Sequence, residues 1–475
     1  MLPYTPEAYQ LMHDGAIALA RVESNGIRID TEYLRKTTHR LRHRIDHLQK
    51  KIQTSEIVER WKRKFKGKFT LGSTDQLGEI LFEDMGFECT ERTPTGAYKT
   101  SEESLSRINH PFVKEYFKIK KLEKTLTTYL LGIRREVVNG FIHPFFNLHL
   151  VKTYRSSSDS PNFQNIPVRD PEVGKLIRQS IIARPGNRIV ELDYSGIEVC
   201  IAACYHQDPT MMKYLEDKTK DMHRDMAMEC FKLPLDELIP ADKSNPAEVK
   251  RAKTIRYCGK NMFVFPEFYG DWYIDCARSL WNAISSMNLQ TRDGSSLYVH
   301  LRKQGIRELG DLNPKEKPRK GTMERHIQMV EQGFWTKRFP IYDYWKKQWV
   351  KMYRQLGYML TKTGFICQGW LKRNEIINYP VQGPAFHCLL RSLIHLQRKL
   401  EKYKMKSLII GQIHDSLVND VPDEELNDFL GIAREVMVDD LKDDWDWINV
   451  PIEIEAEVTP VDGNWFQKEE MKING

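Results

Sequence analysis

Two short apolar runs that each lead into an aspartate constrain this chain more than any other feature. Arg188-Ile-Val-Glu-Leu-Asp193 reads as a buried strand with a carboxylate at its end. Leu408-Ile-Ile-Gly-Gln-Ile413 reads as a second strand, and His414-Asp415 follows at its turn. A single aspartate before a helix such as residues 197–205 is most often a cap. Two aspartates delivered by separate strands make a different site, because rigid elements fix carboxylates well. Hard oxygen ligands of this kind suit Mg²⁺, which keeps waters and takes further oxygens from phosphates.

Between the two strands lies Arg256-Tyr-Cys-Gly-Lys260-Asn-Met-Phe-Val-Phe-Pro-Glu-Phe-Tyr269-Gly270, on a helix opened by Asn245-Pro246. Arg256 and Lys260 are four apart and project from one helix face. A polyphosphate lying along that face would meet both charges, although a solvated basic stripe has the same pattern. The aromatic residues that follow offer a surface on which a base can stack.

The rest of the chain limits the setting. With 475 residues it is too long for one core and calls for two to four lobes. Its net charge of +7 permits a polyanionic partner, and residues 35–68 concentrate the positive charge. That stretch belongs to long polar helices expected over 31–66. Helices are also expected over 7–22, 112–137, 338–360 and 384–403, extended chain over 141–151 and 452–458, and a turn at Pro94-Thr95-Gly96. Residues 282–326, rich in Gly, Pro and Lys, read as an insertion or mobile loop. The eight cysteines form no CxxC pair and no zinc spacing, which suits reduced buried thiols. No P-loop is present, which argues against a motor ATPase. There is no signal-peptide pattern and no apolar run of about 18 residues, so no membrane is expected and the cytoplasm is the expected compartment.

With these constellations in this order, the sequence resembles the polymerase domain of family A DNA polymerases, the DNA polymerase I type. Asp193-Tyr-Ser-Gly-Ile-Glu198 resembles motif A, Arg256-x3-Lys260 with Tyr269-Gly270 resembles motif B, and His414-Asp415 resembles motif C. Thr153 to Arg169 resembles the primer-template block, and Asn378-Tyr-Pro-Val-Gln-Gly383 the Pro-x-Gln-Gly segment. Asn25-Gly-Ile-Arg-Ile-Asp30 and Gly463-Asn-Trp465 resemble segments at the two ends of that domain.

The resemblance implies an α+β right-hand fold. The palm, built on an antiparallel sheet, would take residues 1–30, 126–205 and 395–475, the helical thumb 31–125, and the helical fingers 206–394 with 282–326 inserted. It implies a DNA-dependent DNA polymerase that adds dNTPs to a primer 3′-hydroxyl, with two Mg²⁺ ions held by Asp193 and Asp415. Glu198 would lie under the sugar and disfavour a 2′-hydroxyl, Arg256, Lys260 and His223 would hold the triphosphate, and Tyr269 would lie near the templating base. Arg155, Asn162, Gln164, Asn165, Gln382 and His414 would contact the primer-template. The implied partners are primer-template DNA and dNTPs, with a separate exonuclease or processivity factor. The chain begins at the polymerase domain, so proofreading is expected to be absent from it or supplied by another chain, as in a phage or virus with split replication genes.

Two departures qualify the picture. Motif C in the family usually reads His-Asp-Glu, whereas Ser416 follows Asp415 here, as in single-subunit RNA polymerases. An RNA polymerase-like enzyme is therefore the rival, with an inactive nucleic-acid-binding protein of the same fold as a third reading. Motif B is one residue longer than usual between Lys260 and Tyr269, which a π-bulge would absorb, while Lys253 with Tyr257 offers a competing register. The residue on this helix that would test the sugar is either Phe263 or Val264.

Overall fold

In the computed structural model, which describes residues 1–89, 92–93, 95–105, 108–167 and 170–473, the first aspartate-bearing run is the strand Asn187–Tyr194. It pairs antiparallel with Ser416–Pro422 on one side and Ile454–Val458 on the other. Leu408–Ile413 and Glu469–Met471 close the two edges, giving a five-stranded antiparallel sheet. Ile189, Val190, Leu192, Leu417, Val418 and Val421 are fully buried in it. Each such side chain contributes roughly 1.5–3 kcal/mol on leaving water, which drives strands distant in sequence to pair. The helices Pro6–Asn25 and Arg373–Lys402 pack on each other and on Leu408–Ile413.

Two helical lobes flank this sheet. The first has its own core, including Ile52, Trp61, Leu81, Phe112 and Ile119. Its helix Thr31–Gln53 is capped by Asp30, whose carboxylate accepts the Tyr33 N–H at 2.8 Å. Leu34, Leu41 and Ile45 face inward on that helix, and Arg35, Arg42 and Lys50 stay exposed, so the basic stretch forms a charged outer face. The second lobe gathers Met222–Phe231, Pro246–Gly259, Tyr273–Ser286, Met323–Gly333 and Pro340–Leu356, with Phe263, Phe334 and Phe339 fully buried among them.

Several sequence expectations change. Residues 282–326 do not form a loop: they begin inside Tyr273–Ser286, include the helix Leu297–Lys303, and bury Leu289, Leu297, Leu301, Ile306 and Met323 in the main core. Their apolar residues are spread between Gly and Pro turns, which hid the period. The extended chain at 141–151 reduces to Phe141–Ile142 and Phe145–Asn147. The helix expected over 338–360 is Pro340–Leu356, followed by the strand Tyr358–Leu360. The helix expected from 384 starts at Arg373 and carries Pro380 and Pro384 inside it. Pro94 of the expected turn, and Val168 and Arg169 of the 153–169 segment, lie outside the described residues. Cys200, Cys204, Cys230, Cys258, Cys276, Cys367 and Cys388 are buried thiols. Among the described residues no helix is long and apolar enough to cross a membrane.

Candidate active site

Strand register places Asp193 opposite Ser416 on one neighbour and opposite Glu455 on the other. Directly paired residues point to the same face of a sheet. Asp415 precedes Ser416 at the turn, and its carbonyl accepts the Tyr194 N–H at 3.3 Å. The Asp193 side chain is exposed to the cleft, yet the protein around it strips enough hydration to raise its carboxyl. Repulsion from Asp415, Glu191 and Glu455 adds to this and takes it up to about 7. Burial also pushes Asp415 up, against the pull of the Arg155 guanidinium. No hydrogen bond or ion pair reaches the Asp193 carboxylate among the described residues. Two neighbouring carboxylates, one of them reached by the Arg155 guanidinium, fit a divalent cation. No group of three His, Cys, Asp or Glu side chains among the described residues is arranged to hold a metal by itself. Such a site needs oxygens from substrate or water to complete it. Glu455 was missed from sequence because its segment reads as a strand without revealing its pairing partner.

Glu198 lies in the first turn of the helix Ile197–His206 and joins three parts of the chain. Arg155 Nη1 donates to its Oε1 at 3.1 Å, and the Tyr269 hydroxyl donates to its Oε2. The same guanidinium reaches Asp415 Oδ1 at 3.5 Å. Burial raises the Glu198 carboxyl, with Tyr269 and Arg155 pulling the other way. Asn378, on the long helix, donates to the Tyr269 carbonyl at 3.0 Å and fixes the end of the motif B helix.

The phosphate-binding candidates cluster because two helices approach closely. A Cβ on Gly259 would lie 2.5 Å from the His223 carbonyl oxygen, so glycine permits the contact between Met222–Phe231 and Pro246–Gly259. Arg256 Nε lies 2.5 Å from Asp221 Oδ2, and Asp221 also caps the His223 helix. Burial, then Arg256 and Lys260, pushes the His223 ring down to about 4, so it is neutral at pH 7. Its Nδ1 is buried without a hydrogen-bond partner among the described residues. Burial and Arg256 lower the Lys260 ammonium, opposed by Asp193, Glu455 and Asp221. Lys260 thus lies within electrostatic reach of Asp193, while Lys253 is exposed on the outer side of the helix.

The extra residue of motif B is taken up by π-helical turns over Lys260–Val264. Phe263 and Val264, the two residues expected at the sugar, lie on this turn. Both are fully buried, and Phe263 packs edge-on against Phe334 at 5.4 Å. Phe265 instead holds the space between the candidate groups, 5.1 Å from Lys260 Nζ, 5.6 Å from the His223 ring and 6.1 Å from the Tyr269 ring. Counting back one helical turn from Tyr269 would have found it; counting forward from Lys260 crosses the bulge and misses it.

Gln412, also missed, organises the turn that carries Asp415. Its Nε2 donates to the His414 carbonyl at 2.6 Å, and its Oε1 accepts from Gln164 Nε2 at 2.6 Å and from the Ser156 hydroxyl. That bond supports His414 in the left-handed region at φ 49°. Gln164 therefore points inward, and Asn162 caps the short helix Phe163–Asn165 by accepting the Asn165 N–H at 3.1 Å. Asn165 and His414 are exposed, and Gln382 is half-buried on the long helix. Phe163 stacks on Trp465 at 5.3 Å, and a Cβ on Gly411 would lie 2.6 Å from Phe163 Cε1.

An antiparallel sheet that carries Asp193 beside the Asp415 turn, with helical lobes and the basic residues Arg256 and Lys260 around it, frames the site. The chain belongs to DNA polymerase family A, whose family model matches residues 31–258 and 354–466. Those stretches contain Asp193, Arg256 and Asp415 and stop short of Lys260 and Tyr269. It is similar to DNA polymerase I of Chloroflexus aurantiacus, 27% identical over 468 residues, covering 94% of this chain and 42% of the relative. It is 26% identical over 457 residues to DNA polymerase I of Bacillus subtilis, covering 95% of this chain and 44% of that one. The thermostable DNA polymerase I of Thermus aquaticus is 27% identical over 435 residues, 88% of this chain and 44% of the relative. The chain thus spans less than half the length of these relatives. Its fold matches the polymerase domain of Pol1 from M. smegmatis, solved in complex with DNA primer-template and dNTP, with a TM-score of 0.69 at 22% identity over 96% of this chain and 70% of that one. Members of the family use divalent metal ions, in keeping with the exposed Asp193 beside the half-buried Asp415.

Proposed function

We propose that this chain is a template-directed, DNA-dependent DNA polymerase that adds dNTPs to a primer 3′-hydroxyl. The observation that carries the reading is the register that sets Asp193 opposite Ser416, next to Asp415 at the adjoining turn, with Lys260 in electrostatic reach of Asp193. The primer oxygen attacks the α-phosphorus, the bond to the β-phosphate oxygen breaks, and pyrophosphate leaves with its electron pair. Asp193 and Asp415 would hold the two Mg²⁺ ions expected here, whose charge would favour loss of the attacking hydroxyl's proton and offset the charge on the phosphate oxygens. Arg256 and Lys260 bind the triphosphate, and neutral His223 adds a hydrogen bond. Glu198, held by Arg155 and Tyr269, forms the floor under the sugar, with the Phe265 ring beside it, and the pair leaves no room for a 2′-hydroxyl. Tyr269 stands at the templating base. Arg155, Asn165, Gln382 and His414 contact primer-template from the surface, with Asn162 and Gln164 shaping the segment behind them. Contacts to minor-groove acceptors depend little on sequence, which suits copying.

In this reading the sheet with residues 1–30, 126–205 and 395–475 is the palm, 31–125 is the thumb and 206–394 the fingers, with 282–326 an insertion. The separate core of the first lobe and the position of the family match around 259–353 support that division. Seven buried thiols suit a reducing compartment, for which we propose the cytoplasm. A second reading, an enzyme that uses rNTPs, rests on Ser416 in place of the usual glutamate. The test is extension of a labelled DNA primer on a DNA template with Mg²⁺, offering dNTPs and rNTPs separately. Template-specified extension with dNTPs alone supports the proposal. Extension with rNTPs alone favours the second reading, and extension with neither refutes both.

A further inference from the structure

We propose that the unpaired template strand is held on an outer face of the second lobe, along the cations of Pro340–Leu356 and against Trp370. The proposal rests on the polymerase reading and adds a binding surface to it. Trp370 is the most exposed large side chain described, at 104% relative exposure, and no other ring or polar group is recorded against it. An indole open to water offers a face on which a base can stack. It sits on a short loop between the strand Phe365–Gln368 and the helix Arg373–Lys402, and that loop is braced. Tyr353 donates its hydroxyl to the Gly369 carbonyl at 2.6 Å.

The surroundings are cationic and in line. Lys347, Lys351 and Arg354 recur at the spacing of one helix face, and with Val350, Gln355 and Arg373 they line a shallow cavity of about 390 Å³. Lys347 is paired with Asp343, but Lys351, Arg354 and Arg373 have no ion-pair partner among the described residues. The face also meets the reaction site. A Cβ on Gly270, the residue after Tyr269, would lie 2.6 Å from Asn374 Oδ1 and 3.6 Å from Arg373 Nη1. Arg373 therefore joins the end of the motif B helix to the cation row. On this proposal the strand beyond Tyr269 passes Arg373, Lys351 and Arg354 and reaches Trp370, three residues before Arg373 in the chain. Unpaired cations for phosphates and an open ring for bases are the two components of single-strand binding. Met352 and Leu356 on the same helix are exposed apolar residues that a protein partner would also use, and dependence on overhang length separates a nucleic-acid strand from such a partner.

The test compares binding of the full chain to two primer-templates that share one duplex and carry a 5′ template overhang of about 2 or about 15 nucleotides. The wild type should bind the long overhang about tenfold more tightly, the scale of one or two stacked bases with added phosphate contacts. Trp370→Ala should remove most of that advantage, Trp370→Phe should restore it, and the double change Lys351→Ala with Arg354→Ala should remove it and flatten its salt dependence. All three variants should bind and extend the short-overhang substrate like the wild type. An overhang advantage that is absent in the wild type, or unchanged in Trp370→Ala and in the double variant, overturns the proposal. Failure of the wild type to extend the short-overhang primer would instead indict the polymerase reading, so the two failures are distinct.

Discussion

Asp193→Asn should make the metal-free protein more stable, and chiefly where the aspartate would be charged. In an unfolded chain this carboxyl ionises at 3.8; in the fold, lost hydration and the charges of Asp415, Glu191 and Glu455 raise that to about 7. An acid whose folded value is raised favours the protonated form in the fold. The cost of folding is absent below the unfolded value, grows as pH climbs between the two, and is constant above the folded one. The difference sets a ceiling of roughly 4 kcal/mol. Because the side chain is exposed, solvent and salt screen its neighbours, and about 1–2 kcal/mol is the expected gain. Asparagine keeps the shape and removes the charge. Urea unfolding in EDTA should show that gain at pH 8 and less than half of it at pH 5. Millimolar Mg²⁺ should narrow the gap by stabilising only the wild type. A variant no more stable than the wild type at pH 8, or with a larger gain at pH 5, would refute the electrostatic reasoning.

Other substitutions probe the proposed roles. Lys260→Ala should raise the dNTP KM about tenfold or more while Lys253→Ala changes it less than twofold, measured by steady-state incorporation; equal effects would revive the competing register. Phe265→Ala should relax discrimination against rNTPs more than Val264→Ala does, read as the ratio of kcat/KM for the two sugars; no change in that ratio would remove Phe265 from the sugar site. Gly411→Ala must displace the Phe163 ring, which lies 2.6 Å from the new Cβ, and should cost about 1–3 kcal/mol in denaturant unfolding. A neutral result there would mean that the Phe163–Trp465 stack yields freely.

What the sequence revealed was carried by local chemistry and by order along the chain. The strand ending at Asp193, the turn at Asp415 and the capped helix at Asn245-Pro246 are written in adjacent residues, and all three stand where they were expected. Pairing is not local. Glu455 faces Asp193 only because Ile454–Val458 joins Asn187–Tyr194 in one register, and nothing within residues 452–458 encodes that choice. Gln412 looked like one more strand residue until its amide was seen holding the His414 carbonyl. The extra residue of motif B was visible as a length, and its absorption in a π turn was anticipated. The side chain that the turn rotates into the cleft was not, because a bulge advances every later position by one. The 282–326 segment hid its helix for another reason: few buried leucines separated by turns give no period to read.

The most direct test of the central claim is single-turnover incorporation of one templated dNTP, made with the wild type, Asp193→Ala and Asp415→Ala, alongside their affinity for the same primer-template. Two carboxylates that together hold the reacting groups predict a loss of at least about a thousandfold in rate for either variant, with DNA affinity unchanged within a few fold. A variant at either aspartate that still incorporates the templated nucleotide near the wild-type rate would contradict the assignment of this pair as the catalytic centre.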